Sequence, residues 1–107
     1  DYMLDKLVNL RIYEDENDKL NLSLKDIGGE ILIVPNFTLY GDARKGRRPS
    51  YAKAAPPDEA EKLFDRFVEK AKETGLNVQT GIFRTHMKVE LVNDGPVTIL
   101  LDSDRNF

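Results

Sequence analysis

The stretch Asn93-Asp94-Gly95-Pro96-Val97-Thr98 places a turn-forming pair between two strand-like segments. Before it, residues 88–92 alternate polar and apolar side chains, as a strand with one face in water does. After it, residues 97–101 are nearly all apolar, which is typical of a strand buried on both faces. We therefore predict two closing strands, 88–92 and 97–101, joined by a corner at Gly95-Pro96.

The corner itself has unusual backbone chemistry. Gly95 can adopt φ angles that are closed to other residues, and Pro96 has a fixed φ and no N–H. A peptide bond before proline can be cis at a cost of roughly 0.5–1 kcal/mol. We predict a cis bond here, at a rigid tip whose two carbonyls face the same way into a pocket. A plain tight turn is the alternative for the dipeptide alone.

The composition indicates one domain, 1–107, with a core of its own. The net charge is only −3, so any contact with nucleic acid must come from a local patch of cations. Absence of cysteine excludes a disulfide, a thiolate zinc site and a cysteine nucleophile, and it fits a reducing cytoplasm. No apolar run approaches membrane length. We expect a cytoplasmic protein with no membrane partner.

The first third of the chain predicts a helix end, a hairpin and a central strand. Residues 1–9 have helical spacing but no capping sequence before them, so we interpret them as the end of a helix in a chain whose beginning is missing. Residues 10–13 and 20–24 alternate and can pair as a hairpin. Residues 30–34 form a short apolar run rich in β-branched side chains, which is typical of a central strand.

A bend and a long basic connection follow the central strand. Pro35 removes a ladder donor, so the strand must bend there, and residues 36–40 are expected to continue extended. Connections as long as 41–57 are commonly functional inside a compact domain. Against one acid, Asp42, this connection carries a group of cations: Arg44, Lys45, Arg47, Arg48 and Lys53.

A long helix is predicted from Pro57 to Gly75. Pro57 suits a first helical position, and Asp58 and Glu59 favour the first turn. Gly75 is a typical residue after a helix end. An apolar face follows at helical spacing, formed by Ala60, Leu63, Phe64, Phe67, Val68 and Ala71. Residues 76–85 are expected to be a connector. With five or more strands, the helix would cover one face of a sheet in a mixed α/β domain.

Standard catalytic residues are scarce. The single histidine is His86, and Ser23, Ser50 and Ser103 lie in no Gly-x-Ser-x-Gly setting. No residues have metal-ligand spacing and no glycine pattern suits a nucleotide, so we expect neither a metal nor a cofactor. An enzyme here would have to work with backbone groups, hydroxyls and the substrate's own groups. That chemistry suits an activated substrate such as an ester.

Two motifs resemble the D-aminoacyl-tRNA deacylase family. Residues 93–98 resemble its Asn-x-Gly-Pro-Val-Thr signature, and residues 35–39, Pro-Asn-Phe-Thr-Leu, resemble its Ser-Gln-Phe-Thr-Leu signature. Segments 46–51 and 79–83, followed by Met87, match in the same order. The family's N-terminal strands have no counterpart here.

The resemblance implies both a fold and a reaction. The fold would be a three-layer β/β/α arrangement of mixed sheets and one long helix, in a homodimer with the active site at the subunit interface. The reaction would be hydrolysis of the ester bond of D-aminoacyl-tRNA, and of glycyl-tRNA because glycine has no side chain to reject. The products would be the free amino acid and tRNA, in a proofreading step of translation. The alternatives are a non-catalytic RNA-binding or synthetase editing-like module of the same fold, and a structural dimer domain.

The resemblance implies catalytic roles for Phe37, Thr38, Gly95 and Pro96. Backbone N–H groups near Phe37 and Thr38 would hold the oxyanion of the tetrahedral intermediate. The Gly95 and Pro96 carbonyls would receive the substrate's α-ammonium group and crowd the face where an L side chain would lie. Water would attack with help from the terminal 2′-hydroxyl of the tRNA, so the Thr38 hydroxyl would not be needed as a nucleophile.

Two further sets of residues are expected to bind substrate. The amino acid and terminal adenosine would contact Pro35, Asn36, Phe83, Met87 and Asn93. Pro35 and Asn36 stand where the family usually has Ser and Gln, which alters the side-chain bonds but leaves the backbone roles. The tRNA phosphates would contact Arg44, Lys45, Arg47 and Arg48, unless these cations form a solvated surface loop.

Overall fold

The structure is a computed structural model that describes residues 1–107. It has one long helix, two short helices, a 3-10 helix and four short strands. In chain order these are α1 (Tyr2–Asn9), β1 (Arg11–Glu14), β2 (Leu20–Ser23), α2 (Leu24–Ile27), β3 (Glu30–Ile33), the 3-10 helix (Phe37–Tyr40), α3 (Pro57–Glu73) and β4 (Asn77–Thr80). The mixed α/β class is as predicted.

Strands β1 and β2 form the predicted antiparallel hairpin, with Arg11 opposite Ser23 and Glu14 opposite Leu20. The turn is closed by Asp15, whose Oδ1 accepts from the backbone N–H groups of Asn17 at 2.8 Å and Lys19 at 3.1 Å. These bonds favour the carboxylate, so they lower the pKa of Asp15.

Strands β3 and β4 pair in parallel, from Glu30 opposite Asn77 to Ile33 opposite Thr80. Parallel neighbours require a crossover, and here the crossover contains α3. The prediction of a connector over 76–85 is therefore wrong for Asn77–Thr80. Of these residues only Val78 is apolar, and it is buried. One apolar side chain gives too little periodicity for a strand to be identified.

Helix α3 lies where the sequence predicts it. It begins at Pro57 and ends at Glu73. The chain then turns at Gly75, which has φ +82°. Ala71 is completely buried. Leu63, which the helical spacing places on the apolar face, is 68% exposed.

The core is small and lies where helices α1, α2 and α3 meet strands β3 and β4. Its buried apolar residues are Val8, Leu24, Ile31, Ala71 and Val78. No helix of the chain combines the length and the apolar character needed to cross a membrane.

Ser23 joins β2 to α2 through reciprocal capping bonds. Its Oγ accepts from the Asp26 N–H at 3.0 Å, and its own N–H donates to Asp26 Oδ2 at 2.9 Å. Such a capping box satisfies two donors that a helix start leaves without partners.

We expect Ser23→Ala to lower the free energy of unfolding by about 1 kcal/mol, because it removes the acceptor for the Asp26 N–H. The change is measured by urea denaturation. Lys25→Ala in the same helix is the control, since Lys25 is exposed and forms no ion pair. Equal stabilities of the two variants would contradict a contribution from this cap.

The predicted strands 88–92 and 97–101 are wrong for this chain. Both segments lack strand structure, and residues 86–101 form no backbone–backbone hydrogen bond. Residues 97–101, expected to be buried on both faces, include Ile99 at 53% and Leu100 at 66% exposure. A strand requires a neighbour to pair with, and the alternation of side chains does not supply one.

The prediction that residues 36–40 continue extended is also wrong, because Phe37–Tyr40 form a 3-10 helix. Asn36 caps this helix: its Oδ1 accepts from the Thr38 N–H at 3.0 Å. Local side-chain bonding of this kind competes with strand formation.

Candidate active site

The turn at 35–39 defines which backbone donors are free. The Thr38 N–H is occupied by Asn36, and the Thr38 hydroxyl lies 2.5 Å from the same Asn36 oxygen. The Phe37 N–H, at the first position of the 3-10 helix, donates to no group of the chain. Of the two predicted oxyanion donors, Phe37 is therefore available, and Thr38 becomes so only if the Asn36 side chain moves.

Phe37 also connects this turn to the basic connection. Its ring meets that of Tyr51 edge-on, with centroids 5.1 Å apart. The Tyr51 ring also lies close to Gly41, which has no side chain. A Cβ at Gly41 would lie 3.1 Å from a Tyr51 ring carbon and 3.0 Å from the Thr38 carbonyl oxygen. The 35–39 motif and the 46–51 segment thus meet in space.

Gly81 brings two predicted substrate-binding residues together. Its N–H donates to the Ile33 carbonyl at 2.9 Å, directly after β4. A Cβ on Gly81 would lie 2.7 Å from Met87 Sδ and 3.3 Å from Pro35 Cδ. Met87 and Pro35 therefore both lie against a glycine that leaves room for them. In the sequence, the only signal at Gly81 is its match to a family segment.

A cavity of about 400 Å³ lies between α3 and the segment 80–83. Phe83 lines it, and its ring is 6.0 Å from that of Phe64. The other lining residues are Glu61, Asp65, Val68, Glu69, Thr80, Gly81 and Ile82. Of the predicted substrate-binding residues, only Phe83 lines this cavity. Phe64 and Val68, from the predicted apolar face of the helix, line it as well, and the sequence gives no signal for its acidic residues.

A second cavity of about 380 Å³ lies in the basic connection. No apolar residue lines it; its lining is Asp42, Arg44, Lys45, Arg48 and Ser50. The structure thus groups three of the predicted phosphate-binding cations, while Arg47 is exposed outside the lining. A cavity with this lining suits an anion.

Asp42 is the anchor of the second cavity. Its Oδ1 accepts from the Arg44 N–H at 3.0 Å and from Arg44 Nε at 2.9 Å. The side-chain bond from Arg44 is the main cause of a lowered pKa for Asp42, and it also raises the pKa of Arg44. Both groups therefore carry full charge near neutral pH.

The Gly95-Pro96 bond is cis, as predicted. Gly95 has φ +146°, a conformation that L side chains rarely adopt. Both residues and Asn93 are exposed, and they line neither of the two cavities. A pocket that faces the two carbonyls stays a prediction.

The matches to known proteins agree with the motifs. Residues 1–102 match the sequence profile of the D-Tyr-tRNA(Tyr) deacylase family. The chain is 65% identical over 107 residues to a D-aminoacyl-tRNA deacylase of Clostridioides difficile, covering 100% of this chain and 72% of that protein. Identity to a D-aminoacyl-tRNA deacylase of Thermotoga petrophila is 61% over 107 residues, with the same coverage.

A solved structure, that of the c-Myc DNA Unwinding Element Binding Protein, matches with a TM-score of 0.86 and 40% identity. The match covers 95% of this chain and 70% of that one. The two proteins therefore share the fold of small sheets and one long helix described above.

The chain is thus a hydrolase by relationship. It belongs to the D-Tyr-tRNA(Tyr) deacylase family, which confirms the resemblance identified from residues 35–39 and 93–98.

Proposed function

We propose that this chain hydrolyses the ester bond of D-aminoacyl-tRNA and releases the free D-amino acid and tRNA. The observation that carries the proposal is the 65% identity, over the whole chain, to a protein named for this activity. Glycyl-tRNA is included in the substrate class because exclusion of an L side chain cannot act on glycine.

The Phe37 N–H is the group we propose for stabilising the oxyanion. It has no partner within the chain, so it can donate to a developing negative charge without first breaking a bond. A single donor of this kind typically lowers the activation free energy by about 2.7–4 kcal/mol. An aminoacyl ester is already activated, so water can attack it without a covalent intermediate on the protein.

The substrate's α-ammonium group would be received by the carbonyls of Gly95 and Pro96. Because both residues are exposed in the single chain, we propose that they act in the pocket of a second copy. The exposed apolar side chains around them support this interface: Val89, Leu91, Val92, Val97, Ile99 and Leu100. A homodimer, with the sheets and helix in a three-layer arrangement, would place the active site between two subunits. Sedimentation equilibrium measures the subunit number.

The side chains proposed to contact the amino acid and adenosine lie in separate parts of the chain. Pro35 and Met87 lie together at Gly81, and Phe83 lies in the cavity beside α3. The Asn36 Oδ1 already accepts from Thr38, so Asn36 would bind substrate through its side-chain N–H groups. Asn93 is exposed near the Gly95-Pro96 corner. We propose a cytoplasmic location, where charged tRNA is used in translation.

The test is a deacylation assay with D-Tyr-tRNA, L-Tyr-tRNA and Gly-tRNA. The proposal expects hydrolysis of the D-tyrosyl and glycyl esters above the spontaneous rate, and none of the L-tyrosyl ester. A protein that binds tRNA but hydrolyses none of the three would instead be the non-catalytic RNA-binding module. A protein that does neither would be a structural dimer domain.

We propose that the cations Arg44, Lys45, Arg47 and Arg48 bind phosphates of the tRNA. Replacing Arg47 and Arg48 by Ala should then weaken tRNA binding. The slope of log K against log salt should fall by about 0.7–0.9 for each phosphate that the variant no longer neutralises. The stability should change by no more than about 0.5 kcal/mol, because both residues are exposed.

The control for this pair is Lys62→Ala with Lys72→Ala. These cations are exposed on α3, and their removal changes the net charge equally. If both double variants bind tRNA with the same reduced affinity, the effect comes from overall charge and the loop has no special role.

A further inference from the structure

The basic connection contains a loop that is closed at its base. Asp42 and Ser50 exchange two backbone hydrogen bonds, of 2.8 and 2.9 Å. Residues 43–49 form the loop above this pair. Since the closure uses backbone atoms only, it does not depend on the Asp42 side chain.

The Asp42 side chain instead holds one arginine. Its Oδ1 accepts from both the backbone N–H and the Nε of Arg44. The two terminal nitrogens of that guanidinium form no hydrogen bond with the chain, and Lys45 and Arg48 form no ion pair. Three cations with free donors therefore line one polar cavity.

A carboxylate in an anion site needs a physical reason, because its charge repels the ligand. Here the reason is orientation. An unrestrained arginine must give up rotamer freedom when it binds, whereas a guanidinium held through Nε has already given it up. Its remaining two nitrogens can then bind a phosphate group in the paired geometry that guanidinium groups favour.

We propose that Asp42 is a positioning residue that orients Arg44, so that Arg44, Lys45 and Arg48 together bind a backbone phosphate of tRNA in this cavity. The identity of the ligand as tRNA rests on the proposed function. The absence of apolar lining residues favours a phosphodiester backbone over a nucleobase.

The decisive comparison is Asp42→Ala with Asp42→Asn. Each removes one negative charge, but only Asn keeps an oxygen that can accept from Arg44. We expect Asp42→Ala to weaken the binding of uncharged tRNA at least about threefold although the loop becomes more positive. Asp42→Asn should bind as well as the unchanged protein or more tightly. Tighter binding by Asp42→Ala would overturn the proposal, because Asp42 would then only repel the ligand.

Arg44→Ala tests the connection between the two residues. It should weaken binding in the unchanged protein and have a smaller effect in the Asp42→Ala background, since Arg44 is no longer oriented there. Equal effects in both backgrounds would contradict the proposal. Asp15→Ala is the control: Asp15 closes the β1–β2 turn with similar backbone bonds, and its removal changes the net charge equally. This variant should bind tRNA no less tightly.

Two further measurements separate the possible failures. Uncharged tRNA reports binding alone, so a protein without deacylase activity would refute the proposed function and still test the loop. With D-Tyr-tRNA, Asp42→Ala should raise KM and leave kcat unchanged. Inorganic phosphate at millimolar concentration and constant ionic strength should not displace tRNA. Displacement would assign the cavity to free phosphate and overturn the assignment to a nucleic acid backbone.

Discussion

Deacylation of a D-aminoacyl-tRNA that carries hydrogen in place of its terminal 2′-hydroxyl is expected to be slower by about 100-fold or more. The chain offers no evident replacement for that hydroxyl. Cysteine is absent, the one histidine, His86, is exposed, and the Thr38 hydroxyl is bonded to Asn36. The group that assists the water would therefore be on the substrate. Single-turnover rates with the amino acid on the 3′ oxygen measure this decrease, after subtraction of each ester's spontaneous hydrolysis.

The matched protein variants are Thr38→Ala and His86→Ala, and both should keep substantial activity. In Thr38→Ala the backbone N–H still donates to Asn36, so the turn is retained. The result that contradicts this mechanism is a Thr38→Ala protein that binds D-aminoacyl-tRNA normally and is inactive. An acyl group found on Thr38 by mass spectrometry would likewise establish covalent catalysis.

Gly81→Ala is expected to reduce kcat/KM for D-Tyr-tRNA by about 10- to 100-fold, because small displacements of positioned groups have effects of this size. The added Cβ would lie 2.7 Å from Met87 Sδ, so the Met87 side chain must move. Pro35 Cδ, at 3.3 Å, would also be a tight contact, while Val34 Cγ1, at 3.6 Å, would be at ordinary van der Waals distance. Met87 and Pro35, both proposed to contact substrate, would no longer keep their present arrangement.

Met87→Ala tests whether the effect of Gly81→Ala acts through Met87. In the Met87→Ala background the 2.7 Å approach is absent and only the 3.3 Å approach to Pro35 Cδ remains, so adding Gly81→Ala should reduce kcat/KM much less than it does when Met87 is present. Gln79→Ala, an exposed change in β4 two residues before Gly81, is the control. If Gly81→Ala is equally harmful with and without Met87, the glycine acts through the backbone and our explanation is wrong.

The elements that the sequence predicts correctly depend on contacts between residues near in sequence. The hairpin 10–24 and helix α3 follow from alternation, helical spacing and terminal residues such as Pro57 and Gly75. The error at residues 36–40 is local, because it comes from the Asn36 cap. The other errors concern pairing between distant segments. Residues 97–101 have the composition of a buried strand, but no part of the chain pairs with them. Strand β4 has the opposite character: it pairs with β3 although Val78 is its only apolar residue.

The candidate site is predictable to the extent that local bonds form it. Asn and Asp side chains commonly accept from the backbone N–H two residues further on. Asn36 stands in this relation to Thr38, and Asp42 to Arg44. The sequence therefore contains the signals for the Asn36 cap and the Asp42 bond, although our predictions include neither. The meeting of Gly81 with Met87 and Pro35 depends on β4 pairing with β3, which the sequence does not reveal. The cavity beside α3 depends likewise on how separate segments fold together, whereas the second cavity is formed within the single segment 42–50.

The exposed segment 97–101 has a consequence for handling the protein. Val-Thr-Ile-Leu-Leu is rich in β-branched and apolar side chains and contains no charge, a composition that favours intermolecular cross-β stacking. Its backbone groups form no bonds within the chain and are available to such a stack. Asp94 and Asp102, which flank the segment, are the gatekeeper charges that oppose it. In a concentrated preparation, the protein will therefore resist aggregation through residues 97–101 only while another surface covers them.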